Sequence, residues 1–305
     1  MKIHFSNVDF SSRSGPNTFG YRLAEELSLR RHEIVSANSV YDVALVFIEP
    51  STRLRDDAKI IQRLDGIWFK PEQFVSHNKL IKETYEKCHH VVWQSEFDKN
   101  MTTHHWGDRS GTVIRNGVAL RGASPIKREG FLESDNIFVT SSNWHPQKRL
   151  KANIEFFRSL KIYNSRLVVM GKCGPADLDE KSLGEDIAFM GDVDHETCMR
   201  IYSTADWMIH LAWLDHCPNV VVEALSQGCK VICASSGGTH ELINETRGFV
   251  LPETSEYKYE LTDYDSPPEL DFSNVKLPML NRDFDKSDLD IKLVASKYEK
   301  IFLGV

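Results

Sequence analysis

A chain of 305 residues with 41% hydrophobic and 27% charged side chains can bury a sizeable core and does not depend on disulfides or metals to fold. Its six cysteines, at 88, 173, 198, 217, 229 and 233, include no C-x-x-C pair; this removes the simplest zinc and redox signals and makes a reducing, cytoplasmic setting the default. The net charge of −7 is uneven, with 17 Lys+Arg against 15 Asp+Glu in residues 1–125 and 20 against 29 in residues 126–305, which argues against a nucleic-acid binder. Residues 1–25 carry no secretory-signal pattern, and no apolar run reaches the length of a spanning helix, which leaves peripheral contact with a bilayer open.

The predicted elements alternate between strand and helix. A strand over 3–10 leads into a polar loop over 11–17. Phe19, Leu23 and Leu27 then recur at helical spacing, with Thr18 as N-cap. The run 43–48 reads as a strand covered on both faces. A strand over 59–62, a helix over 78–87, a strand over 91–93, a helix from Glu96 capped by Ser95 and a strand over 112–114 follow. The irregular stretch 121–128 places a domain boundary near residue 125. The pattern restarts with strands over 136–140, 167–170, 188–191, 207–210 and 230–233. Helices are predicted over 147–162, 195–203 and 219–227, the last opened by Pro218 and closed by Gly228. The acidic stretch 251–290 predicts no regular element and reads as a surface excursion, and residues 289–301 form an amphipathic helix. The fold class is α/β, and two linked Rossmann-like domains suit this element count better than one very wide sheet.

Ligands of open α/β sheets bind beyond the carboxyl ends of the strands, where the singular residues gather. After strand 207–210, Asp215 lies in a loop and Glu223 lies seven residues further on in a helix, so both can face one pocket. A carboxylate there can accept hydrogen bonds from the hydroxyls of a ribose or hexose; equally, Glu223 can serve its helix start and Asp215 its loop. Lys148 and Arg149, at the start of a helix, either hold an anion or extend into water. Gly237 and Gly238 either cradle an anion or make a turn. In the first half, Asp65 can orient a hydroxyl, and Arg63 can bind phosphate or hold Asp65. The histidines make no zinc pattern, and no metal is expected.

The stretch from Asp206 to Ile243, with Asn143-Trp144-His145-Pro146-Gln147-Lys148, resembles the retaining GT-B glycosyltransferases of family 4, the glycosyl transferases group 1. The acid, seven residues, then glutamate is matched by Asp215 and Glu223, and the glycine pair and glutamate downstream by Gly237, Gly238 and Glu241. Segments 92–97 and 113–118 are also similar to family segments. The resemblance implies a GT-B fold in which two Rossmann-like domains face across a cleft: an acceptor-side domain over 1–125, a nucleotide-sugar domain over 126–288, and a helix over 289–305 that packs back on the first domain. It also implies a nucleoside-diphosphate sugar donor, a glycan, lipid-linked or small-molecule hydroxyl acceptor, transfer of a hexose with retention, and no required cofactor or metal.

By the same resemblance Glu223 takes the donor ribose, Asp215 the donor sugar or its phosphate, and Lys148 the leaving diphosphate, with Gly15 near the same group. Asp215 stands where the family usually has Glu, and Asn143 where a basic residue is frequent. These departures keep in view a non-catalytic nucleotide-sugar or carbohydrate-binding protein, and the resemblance to GT-B enzymes also leaves a sugar-nucleotide epimerase as an alternative.

Overall fold

The computed structural model describes residues 1–12, 14–172, 184–273 and 275–304. Arg13 of the first polar loop, Cys173 and Val305 lie outside the described residues. The first domain is a parallel sheet in the order β2-β1-β3-β4-β5-β6, formed by β1 (Lys2–Ser6), β2 (Glu33–Val35), β3 (Val43–Phe47), β4 (Lys59–Leu64), β5 (His90–Trp93) and β6 (Gly111–Val113). Its helices are α1 (Gly15–Leu29), α2 (Pro71–His77), α3 (Lys79–Lys87) and α4 (Glu96–Trp106). The second sheet is also parallel, in the order β12-β11-β10-β7-β8-β9. Its strands are β7 (Asn136–Ser141), β8 (Ser165–Met170), β9 (Ile187–Gly191), β10 (Trp207–His210), β11 (Lys230–Ala234) and β12 (Gly248–Leu251). Helices α5 (Leu150–Ser159), α6 (His195–Thr204) and α7 (Asn219–Ser226) complete this doubly wound unit.

Patterning explains the central strands. Every residue of β3 is buried, as its unbroken apolar run requires when helices cover both faces. Helix α4 starts as expected, with the Ser95 hydroxyl accepting the Asp98 N–H at 3.1 Å. Several boundaries differ from the sequence expectations. β1 ends at Ser6, and α1 begins at Gly15, with Ser14 preceding it and Pro16 in its first turn, so Thr18 is a helix residue and not the cap. The short edge strand β2 and the largely exposed α2 carry too little apolar periodicity to be read. The helix expected over 147–162 is broken in two: Pro146–Lys148 forms a 3-10 turn, Arg149 adopts a left-handed conformation (φ 52°), and α5 starts only at Leu150.

The final helix, α8 (Ile291–Gly304), crosses back and packs on α1. Ile291, Val294, Tyr298 and Phe302 share a core with Phe19, Leu23 and Leu27. Arg30, at the C-terminal end of α1, donates to Glu299 at 2.7 Å. The crossing is stitched beside residue 118, where Val118 N–H donates to Leu289 and Ile291 N–H to Val118.

The acidic stretch after β12 is more than a surface excursion. Leu270, Phe272, Val275 and Leu277 pack on the second domain's core, and Tyr257, Tyr259 and Tyr264 join an apolar cluster with Ile67, Phe69, Phe97 and Met101 of the first domain. Lys70 holds Asp263 at 3.1 Å, and Thr262 N–H donates to the Phe69 carbonyl. Apolar residues spaced irregularly among acids form neither helix nor strand, yet they strap one domain to the other. Among the described residues no helix is long and apolar enough to cross a membrane.

Candidate active site

The strand order of the second sheet reverses between β7 and β10, and the loops leaving these two strands carry Lys148 and Asp215. Trp213 N–H donates to the Gln147 carbonyl at 2.7 Å and ties the loops together. Lys148 Nζ lies 2.5 Å from Asp215 Oδ2, and His210 Nε2 lies 3.1 Å from the same oxygen. Burial pushes the Asp215 carboxyl upward, but Lys148 and His210 outweigh it and hold the group well below the usual carboxylate range. Burial pushes His210 down, against the opposing pull of Asp215. Asp215 is therefore a fixed carboxylate, anchored through Oδ2.

Lys148, Asp215 and His216 face Asp65, Gly66 and Ile48 of the first domain across a cavity of about 260 Å3, walled also by Tyr264 of the strap. Asp65, just beyond β4, is ion-paired to Arg63. Arg63 is fully buried, sits 4.3 Å from the ring centre of Phe19 and 4.9 Å from that of Phe47, and donates to Asn116 Oδ1 at 2.6 Å. Of its two expected roles the geometry supports holding Asp65; a guanidinium enclosed by two rings and two polar partners does not reach a phosphate.

Glu223 is placed differently from its expected convergence with Lys148. It lies on α7, is 5% exposed, and does not line the Lys148 cavity. Its Oε1 accepts from Arg22 on α1 of the first domain and lies 3.3 Å from His195 Nε2 at the start of α6. Arg22 also approaches His195 at 3.0 Å. Burial pushes the Glu223 carboxyl up, but His195 and Arg22 reverse the balance and leave it below its ordinary value. Oε2 remains the available acceptor atom. Gly15 is the first residue of α1, not a loop glycine, and its carbonyl accepts from Asn219 Nδ2 at 2.8 Å.

Three further expectations are corrected. Arg149 does not aid the cavity: its side chain is 3% exposed and forms a two-pronged pair with Glu253 at 2.7 and 3.0 Å, with further bonds to the Leu211 and Pro268 carbonyls. The left-handed turn at 149 aims it into the strap. Gly238 spends its N–H on the Asp215 carbonyl at 2.7 Å, and a Cβ on Gly237 would sit 2.4 Å from that same oxygen. The glycine pair thus lets two loops pack backbone to backbone, and the Gly238 N–H is already spent within the protein. Glu241 caps α4 of the first domain, accepting from Glu96 N–H at 2.9 Å, Phe97 N–H at 2.8 Å and Arg115 at 3.0 Å.

Sequence alone assigns no site role to Arg22, His195 or Asn116, and none to His210 although it stands near the Asp215 loop. Arg22, His195 and Asn116 make contacts across the domains, which no spacing signal announces, whereas His210 reaches Asp215 from the end of its own strand. Among the described residues, no group of His, Cys, Asp and Glu is arranged to hold a metal ion.

Residues 125–260 match the family model described as glycosyl transferases group 1. Solved structures match over most or all of the length. Sucrose-phosphate synthase from Thermosynechococcus elongatus superposes with a TM-score of 0.69 at 14% identity, covering 100% of both chains. A glycosyltransferase from Rickettsia africae gives 0.67 at 15%, covering 99% of this chain and 98% of that one. HepE of Anabaena in complex with UDP-glucose gives 0.60 at 16%, covering 83% and 85%. The fold is GT-B. At these identities the likeness is one of architecture; the Lys148–Asp215 cavity lies between the two domains because residues of both line it. No curated protein sequence matches the chain.

Proposed function

We propose that this GT-B chain is a glycosyltransferase that moves a hexose from a nucleoside-diphosphate sugar to a hydroxyl of a glycan, lipid-linked or small-molecule acceptor, with retention of configuration and without a metal. One observation carries the reading. A lysine held by a half-buried carboxylate stands at the switch point of a doubly wound sheet, in a cavity walled on its other side by the first domain. The group 1 match over 125–260 supports the same reaction class.

Glycosyl transfer builds negative charge on the departing diphosphate and positive charge on the sugar. Lys148 supplies a cation already oriented by Asp215, so little reorganisation is needed when the bond breaks. Asp215 Oδ1 and Asp65 offer acceptors for sugar hydroxyls from opposite walls of the cavity. Glu223, anchored through Oε1, presents Oε2 to the ribose, with Arg22 bringing the first domain to the nucleoside end. Retention is consistent with acceptor deprotonation by the leaving phosphate on the same face.

UDP-glucose, bound by HepE, is the first donor to try. A thermal-shift screen of nucleoside diphosphates and their sugars, followed by mass detection of products over an acceptor panel, tests the proposal. Stabilisation by a sugar nucleotide with transfer supports it. Binding without transfer or hydrolysis makes the chain a sugar-nucleotide-binding protein, and donor conversion without acceptor makes it an epimerase; either outcome overturns the reading.

A further inference from the structure

Two buried polar atoms at the domain interface lack hydrogen-bond partners, Asp98 Oδ1 and His216 Nδ1. They face each other at 3.7 Å, Asp98 from α4 of the first domain and His216 from the loop after β10 of the second. Asp98 is fully buried, and its other oxygen accepts the Gln94 N–H at 3.2 Å. The far edge of the His216 ring lies over Gly66. A Cβ on that residue would stand 2.3 Å from Nε2, so the backbone at 66, with φ of +105°, is shaped around the imidazole. Gly66 and His216 line the cavity that holds Lys148, Asp215 and Asp65.

Leaving either atom unpaired costs about 1–3 kcal/mol, and at 3.7 Å the two stand only just beyond the reach of a hydrogen bond. Such a bond needs one proton between the two atoms, and the surroundings decide which atom carries it. Lys148 and Asp215 act on the ring from the second domain, and Arg63 and Glu241 act on Asp98. Burial dominates both groups, pushing Asp98 up to about 8 and His216 down to about 4, so both are neutral near pH 7. A neutral carboxylic acid donates to Nδ1, which puts the single ring proton on Nε2.

We propose that Asp98 and His216 work as a pair across the interface: the Asp98 O–H donates to Nδ1, and His216 presents Nε2–H as a hydrogen-bond donor to an oxygen of the bound sugar nucleotide. The pair is independent of the function proposed above; only the identity of the accepting oxygen rests on it. His216 is then an electrostatic partner to Lys148, not a base, and Asp98 is its positioning residue. Because the two come from different domains, the donor is assembled only when the domains are closed.

Long-range nitrogen–proton correlation spectra of the 15N-histidine-labelled full chain test the pairing, and UDP and UDP-glucose titrations test the donor role. The pair predicts the Nε2–H tautomer for His216 at pH 7 and a shifted Nε2–H signal when UDP-glucose is added. Asp98→Asn keeps both bonds, its carbonyl for Gln94 and its amide N–H for Nδ1, so turnover of UDP-glucose stays within about threefold of the parent. Asp98→Leu disorders the tautomer, and His216→Phe lowers kcat about a hundredfold, the scale of losing one oxyanion donor, with a smaller change in KM. Melting curves of each variant separate unfolding from loss of the donor. An imidazolium or an Nδ1–H ring in the parent at pH 7, or an Asp98→Asn variant as damaged as Asp98→Leu, overturns the pair. The expected tautomer with a signal indifferent to both UDP and UDP-glucose overturns the donor role.

Discussion

Replacing Arg22 with methionine tests the contact that joins α1 to α7. The substitution keeps most of the side-chain volume but leaves the Glu223 carboxylate, 6% exposed, without its cation. Removing one partner of a buried ion pair typically costs about 3–5 kcal/mol. Here His195, itself half exposed, still lies 3.3 Å from Oε1 and offsets part of that loss. The expected cost is therefore about 2–4 kcal/mol, a fall of roughly 3–6 °C in melting temperature for a chain of this size. Glu223→Gln removes the charge and keeps the shape. The double variant, with no charge left to strand, should recover much of the loss, giving a coupling energy of about 2 kcal/mol in a double-mutant cycle read by calorimetric melting. A coupling below about 0.5 kcal/mol would show that Arg22 and Glu223 do not meet in solution, and the nucleoside end of the proposed site would have to be rebuilt.

Other outcomes follow from the same geometry. Arg149→Ala leaves Glu253 buried and unpaired and should cost about 3–5 kcal/mol, while nucleotide affinity in the folded protein stays unchanged; a selective loss of affinity would return Arg149 to the cavity. Gly238→Ala puts a Cβ 2.1 Å from the His216 carbonyl and 2.5 Å from Ser95 Cβ, both on or near backbone, and should cost about 1–3 kcal/mol by wedging the domain interface, visible as a lower melting temperature and faster limited proteolysis. The raised Asp98 carboxyl retains a proton that the unfolded chain releases, so stability should fall as pH rises from about 6.5 to about 8, by up to about 1.4 kcal/mol per unit. Below about 6.5 the lowered His216 opposes this trend, because the unfolded chain then takes up a proton that the folded ring refuses. Asp98→Asn should flatten the alkaline slope in denaturant titrations at stepped pH, and an unchanged slope would refute the assignment to Asp98.

Much of the architecture was legible because a parallel sheet writes itself as unbroken apolar runs, as in β3 and β10, and because Ser95, Pro218 and Gly228 mark helix ends by local chemistry. The pairing of Lys148 with Asp215 was approachable for a related reason: both sit at carboxyl ends of strands that meet at the switch point. What could not be read is direction. Lys148 and Arg149 are adjacent in sequence, yet one left-handed residue sends the first into the cavity and the second into the strap. Glu241 and Gly238 carry the expected types at the expected spacing but serve the interface, because the partners that occupy them, α4 and the Asp215 loop, come from elsewhere in the chain. The aromatic strap was missed because Tyr257, Tyr259 and Tyr264 follow no period.

Calorimetric titration of the parent, Lys148→Ala and Glu223→Ala with UDP and UDP-glucose bears most directly on the central claim. The parent should bind, Lys148→Ala should lose at least tenfold in affinity for the diphosphate, about 1.4 kcal/mol or more, and Glu223→Ala should weaken the nucleoside contribution. Equal affinity in all three folded proteins would contradict a donor site built on Lys148 and Glu223.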